Sequence, residues 1–184
     1  MMGSRGEMMR SSFSKMSVAL RRSATLAVAV CALLLIAPLA LGHEDHLPSG
    51  FQKTTVLSGF FLPPAARFAP DGRAFVTEKY GKLFAFDSVS DTTPTLVKDF
   101  ESQLWSYHDH GLLGLAVDPQ FPTRPYVYVL YAKRGNPGGR LSRIEINPAN
   151  NQMVGNELVL LEAWCLVYPS HGVGDLQFGP DGSL

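Results

Sequence analysis

Two copies of one turn, Phe68-Ala69-Pro70-Asp71-Gly72 and Phe178-Gly179-Pro180-Asp181-Gly182, stand 110 residues apart in this chain. In each, proline presets a turn φ, aspartate can bond the backbone close by, and glycine accepts positive φ. A second register, at an offset of 61, pairs His110-Gly111, Leu115 and Pro119 with His171-Gly172, Leu176 and Pro180. Interlocking registers of this kind mark a repeated supersecondary unit.

Around these marks, short runs rich in Val, Tyr, Phe and Leu alternate with Gly, Pro and Asp turns, and almost nothing after residue 51 reads as helix. Residues 66–68, 73–78, 83–87 and 95–98 read as one set of four antiparallel strands. Residues 114–117, 126–131, 140–146 and 157–161 read as a second set, and residues 175–178 open a third. The spacing is unequal, 49 residues from Phe68 to Val117 and 61 from Val117 to Phe178, which fits blades of one propeller with different loop insertions. The expected fold is therefore all-β: a β-propeller of four-stranded antiparallel blades, incomplete here, with two blades and the start of a third. A propeller closes on about four blades or more, and an open blade edge leaves unpaired backbone groups. The chain is thus expected to be a fragment of a longer protein. The tyrosines over 126–131 alternate with Val and Leu at period two, the pattern of packing between blades.

Charge is balanced, with 16 basic and 16 acidic residues, which argues against nucleic acid as a partner. Residues 1–42 differ from the rest. Lys15, Arg21 and Arg22 precede an apolar run over 24–41 that is broken by Pro38 and ends near Ala40 and Gly42. That is the layout of a signal peptide cleaved before His43, and a start at Met16 would give a leader of ordinary length. The expected location is secreted or periplasmic, with no stable membrane span after cleavage. The alternative is an uncleaved leader acting as an anchor, since about 20 apolar residues can span a bilayer. Residues 43–58 form a lead-in and residues 59–184 the partial propeller. Cys31 falls in the leader, so Cys165 is the one cysteine of the mature chain and no internal disulfide can form.

If the units are blades, loops 61–64, 107–111 and 168–172 emerge at one end of the central channel, where small-molecule pockets form. They hold three of the five histidines together with Asp109 and two tyrosines. His171 has two readings: a general base, which needs a neutral imidazole within reach of a substrate hydroxyl, or a structural residue bonding a neighbouring blade. His108 and His110, with Asp109 between them, suit either a metal or an ordinary loop; nothing fixes a third ligand, so no metal site is assigned. Lys133, Arg134 and Arg140, in and beside a glycine-rich loop, suit either an anion or solvent. Walker, GxGxxG, CxxC and GxSxG motifs do not occur, so nucleotide binding and esterase chemistry have no support.

Two phrases, YHDHGLLGLAVDPQFPTRPYVYVLYA and YPSHGVGDLQFGPDGSL, resemble the glucose/sorbosone dehydrogenase family. These are six-bladed propellers that include soluble quinoprotein glucose dehydrogenases using pyrroloquinoline quinone (PQQ). The resemblance covers roughly residues 59–184, and its specific part is GLLGLAVDPxF followed by YVYVLY. It implies an exported dehydrogenase acting on a sugar or related polyol, with an external electron acceptor. In the family, the histidine before the GDLxFGPDG-like strand takes a proton from the sugar hydroxyl while hydride passes to the quinone. His171 stands at that place and is the implied catalytic base. A family glutamine shortly before GLLG contacts the quinone, and Asp109 and His110, which occupy that place here, are the implied cofactor-binding residues. Other quinone contacts and the calcium-binding loop belong to later blades, so residues 1–184 alone are expected to lack activity. The alternative is a secreted propeller binding module without catalysis, taking a protein or carbohydrate ligand.

Overall fold

The computed structural model describes residues 47–135, 138–165 and 172–184. They fall into two compact units divided between Gln52 and Lys53. The described part of the first is a short turn in which the Phe51 amide donates to the Pro48 carbonyl at 3.1 Å.

The second unit is built from strands. They are β1 Ala65–Phe68, β2 Ala74–Thr77, β3 Lys82–Phe86, β4 Thr95–Asp99, β5 Leu112–Val117, β6 Tyr126–Ala132, β7 Gly138–Ile146 and β8 Met153–Cys165. They form two antiparallel sheets of four, β1-β2-β3-β4 and β5-β6-β7-β8, each running outward in sequence order. Among the described residues there is no helix, and hence none long and apolar enough to cross a membrane.

The repeated turn is one structure used twice. In the first copy the Ala69 amide donates to the Arg73 carbonyl at 2.8 Å and the Gly72 amide to the Ala69 carbonyl at 3.0 Å. In the second, Gly179 donates to Ser183 at 2.7 Å and Gly182 to Gly179 at 3.0 Å. Gly72 and Gly182 have φ of 93° and 81°, the left-handed region that glycine enters without penalty. Asp71 and Asp181 accept the amides two residues on at 3.2 and 3.1 Å.

The middle strands are apolar on both faces because each sheet is covered on both. One face of each sheet meets the other in a shared core that includes Phe75, Leu83, Leu115, Val129, Tyr131 and Ile144. Phe75 and Phe121 meet edge to face across it, with centroids 5.5 Å apart. On the outer face of the first sheet, Ala74, Val76 and Phe86 pack with Leu57 and Phe60. On the far face of the second sheet, Leu130 and Ala132 pack with Val173 and Leu176. Two of the three tyrosines of β6 divide accordingly: Tyr131 joins the shared core, and Tyr128 meets Phe178 edge to face at 5.3 Å.

The third unit is present as its opening segment, with one correction. Residues 175–178, expected as a strand, join no ladder among the described residues. A strand is held by a hydrogen-bonded neighbour, and this segment is held by side chains instead. Leu176 packs on the second sheet, and Asp175 takes a hydrogen bond from Arg67 of β1, whose guanidinium also donates to the Leu176 carbonyl at 3.4 Å. Strand β8 is much longer than the expected 157–161. Register shifts in its pairing with β7 carry it through Gly155 and Asn156, residues that read locally as loop.

Candidate functional site

The loop before β1, the β2–β3 turn, the segment from β4 to β5 and the β6–β7 loop are stitched together at one end of the two sheets. Lys79 is the main stitch. Its amide donates to the Leu62 carbonyl at 3.1 Å, and its carbonyl accepts from the Leu112 amide at 2.9 Å. Its ammonium donates to the His108 carbonyl. The Ala132 carbonyl accepts from the Trp105 amide at 2.8 Å, and the Ala132 amide donates to the Gly111 carbonyl at 3.0 Å.

Both glycines of the repeated His-Gly dipeptide are explained by close approach. A Cβ on Gly111 would stand 2.5 Å from the Lys79 carbonyl oxygen. A Cβ on Gly172 would stand 2.5 Å from Cδ2 of His110. Each glycine lets its segment settle directly on the unit before it.

His110 lies at the centre of this end and is 0% exposed. A tight turn places it: its amide donates to the Tyr107 carbonyl at 3.0 Å, and His108 between them has φ of 49°. The Trp105 ring lies against the imidazole with centroids 4.7 Å apart. Neither ring nitrogen has a hydrogen-bond partner among the described residues. Burial pushes the imidazole below its ordinary pKa, and the neighbouring charges of His108 and Lys79 act in the same direction. The Asp109 carboxylate opposes them. The side chain is a ring whose burial disfavours protonation, with two unmet hydrogen-bonding atoms, a combination that calls for a ligand or a purpose.

The expected site residues therefore separate. His110 is buried, Asp109 beside it is exposed, and His171 lies outside the described residues, although Gly172, the next residue, rests on His110. Among the described residues no group of three or more His, Cys, Asp or Glu side chains gathers as a metal site. The basic side chains near the β6–β7 loop are engaged by protein groups. Lys133 pairs with Glu162, and Arg140 pairs with Glu162 at 3.0 Å and Glu157 at 3.4 Å. Arg134 donates to the Leu104 and Glu101 carbonyls, both at 3.2 Å. An open cleft of about 450 Å³ is lined by Asp99, Glu101, Ser102 and Arg134, and its lining includes neither Asp109 nor His110. Sequence reading missed Lys79 and Trp105, whose parts depend on contacts between sheets. The one local signal was the density of aromatic residues around the histidines.

The glucose/sorbosone dehydrogenase family model matches residues 61–184, the span of both sheets and the opening of the third unit. The chain belongs to the glucose/sorbosone dehydrogenase family. Quinoprotein glucose dehydrogenase B of Acinetobacter calcoaceticus is 31% identical over 86 residues, covering 43% of this chain and 17% of that protein. Among solved structures, an oxidoreductase described as a glucose dehydrogenase, from Thermus thermophilus, is 28% identical with a TM-score of 0.59, covering 69% of this chain and 37% of its own. The PQQ-bound aldose sugar dehydrogenase of Streptomyces coelicolor, at 20% identity and a TM-score of 0.61, supports the same fold over 70% of this chain and 38% of its own. The chain thus spans between about a sixth and two fifths of the length of these family members.

Proposed function

We propose that this chain supplies the first blades, and part of the quinone and sugar site, of an exported quinoprotein dehydrogenase acting on a sugar or related polyol. The single observation that carries the reading is His110: fully buried, and with both ring nitrogens unpartnered where the third unit crosses it. A buried polar group left unsatisfied costs about 1–3 kcal/mol, and an oxygen of a bound cofactor would relieve that cost. The residues present fit PQQ on this side. His110 would hold an oxygen of the quinone, and Asp109 would stay outside direct contact, since a carboxylate repels an anionic cofactor unless protonated or bridged by calcium. Bound there, the quinone supplies a hydride acceptor.

The residues of the chain do the rest. His171, next to the glycine that rests on His110, would accept the proton of the sugar hydroxyl. Trp105 would shield the His110 ring from water, and Lys79 would keep the two loops in register. Calcium and the remaining basic contacts to the quinone would come from further blades, and reduced cofactor would pass electrons to an external acceptor. The leader over 1–42 would direct export.

The test is to express the longest coding form, titrate it with PQQ and calcium, and follow sugar-dependent reduction of an acceptor dye. Saturable quinone binding with sugar oxidation is expected, with turnover lowered at least a thousandfold by His171→Ala. A well-folded protein that binds no quinone overturns the enzyme reading and returns the binding-module alternative. Mature protein recovered from the medium or periplasm should begin at His43, and an intact leader in the membrane fraction would overturn cleavage.

A further inference from the structure

The cleft between the turn after β4 and the start of the β6–β7 loop takes no part in the reaction proposed above. It holds about 450 Å³, within the range of roughly 300–1,000 Å³ usual for small-molecule sites. Its lining is Asp99, Glu101, Ser102 and Arg134: two carboxylates, a hydroxyl and a guanidinium, with no apolar side chain among them. Both walls are fixed from behind. Phe100 and Leu104 are buried in the shared core and carry the turn between them, and the Gln103 and Leu104 amides close it on the Phe100 carbonyl at 2.8 and 3.1 Å. Asp99 Oδ1 accepts the Glu101 amide at 2.8 Å. The opposite wall is tied to this turn, since the Arg134 amide donates to the Gln103 carbonyl at 2.8 Å and Lys133 bridges to Leu104.

The charges in the cleft do not cancel one another. The neighbouring Lys133 and Arg140 are both paired with glutamates. Arg134 instead spends Nε and Nη2 on the Leu104 and Glu101 carbonyls. These two bonds hold a side chain that is ordinarily free to swing, and the rest of its donor fork is left over. The guanidinium is seated against the Glu101 backbone, yet among the described residues no ion pair joins it to the Glu101 or Asp99 carboxylate. A fixed cation and two anions therefore face one small volume with their mutual attraction unused.

We propose that this cleft binds a zwitterion, a free amino acid or short peptide, whose carboxylate meets the Arg134 fork and whose ammonium meets Glu101 and the second oxygen of Asp99. An arginine fork matches a carboxylate with two parallel hydrogen bonds. Ser102 can donate or accept beside either end. Charge selects the occupant. A simple anion would face two carboxylates and a simple cation would face the guanidinium, whereas a molecule with both charges uses each wall. Water and salt screen the charges at so open a site, so affinity is modest and falls as salt is added. The rigid walls compensate in part, because little side-chain freedom is lost on binding.

Calorimetric titration of the full chain, with neither quinone nor sugar added, tests the cleft using triglycine, N-acetyltriglycine and triglycinamide at neutral pH. Triglycine carries both charges and should bind at least tenfold more tightly than either blocked peptide. In Arg134→Gln its advantage over triglycinamide should vanish, and in Glu101→Gln its advantage over N-acetyltriglycine should fall severalfold. Equal affinity for the three peptides, or no binding of triglycine at millimolar concentration, overturns the proposal. So does an advantage that both folded variants keep in full. Should Arg134→Gln melt early through loss of its bonds to the turn, the ranking of the three peptides on the unsubstituted chain still decides. Because no cofactor or turnover enters the measurement, its outcome is independent of the dehydrogenase reading.

Discussion

His110 combines two properties that pull against each other, a titratable ring and complete burial. Its pKa is lowered in the folded chain, so between the ordinary value of about 6.5 and that lower value the unfolded chain takes up a proton that the folded chain refuses. Stability is therefore full above about pH 6.5 and falls as pH drops through the lowered pKa. Thermal melts of the full chain between pH 7.5 and 5 should show this loss, and His110→Phe should flatten it, the remaining slope reporting other groups. Two glycines nearby separate two reasons for a missing side chain. Gly172→Ala meets the His110 ring and should cost about 1–3 kcal/mol, much of it recovered in a Gly172→Ala, His110→Ala double variant by a coupling read in urea melts. Gly72→Ala meets nothing within 4 Å and should cost about 1–2 kcal/mol through its φ of 93° alone, with no rescue by any neighbour. Sequence marks both positions as glycine, but only contact distinguishes them.

At the scale of the strand, the pattern of β6 was readable and its consequence was not. Alternating Tyr, Val and Leu implied two packed faces, and both are packed. The Tyr131 hydroxyl, however, also meets Gln103 at 3.2 Å, Glu157 at 3.2 Å and Arg140 at 3.2 Å, so an apolar strand carries a polar network at its end. Burial, reinforced by the Glu157 charge and resisted by Arg140, pushes its pKa up to about 12. Stability contributed by the neutral phenol is full below about pH 10, the unfolded value, and is lost as pH rises through 12. Tyr131→Phe should cost about 1–2 kcal/mol at pH 7 and reduce the alkaline loss seen in melts between pH 9 and 11.5. The starts of β5, β7 and β8 were placed late for one reason. Glycines at 114, 138, 139 and 155 weaken local strand propensity, and pairing with a neighbour overrides it.

For the whole molecule, stability rests on the seam between the two sheets. Phe75 is fully buried in it, against Phe121 of the connection between β5 and β6. Phe75→Ala should cost about 3–5 kcal/mol, which for a chain of this size should show as a loss of the cooperative thermal transition or a large fall in its midpoint. The all-β class, two four-stranded sheets and the shared turn could be derived from sequence, because period-two alternation and Pro-Asp-Gly chemistry are local and leave their pattern in the chain. The same holds for the family, whose specific phrases lie in β5, β6 and the loops beside them. Which sheet face meets which, the burial of His110 beneath Trp105 and Gly172, and the role of Lys79 were decided by tertiary structure alone. Apart from the Trp105–His110 contact these join segments distant in sequence, His110 and Gly172 being 62 residues apart, and a one-dimensional pattern records what each residue is without recording what arrives beside it.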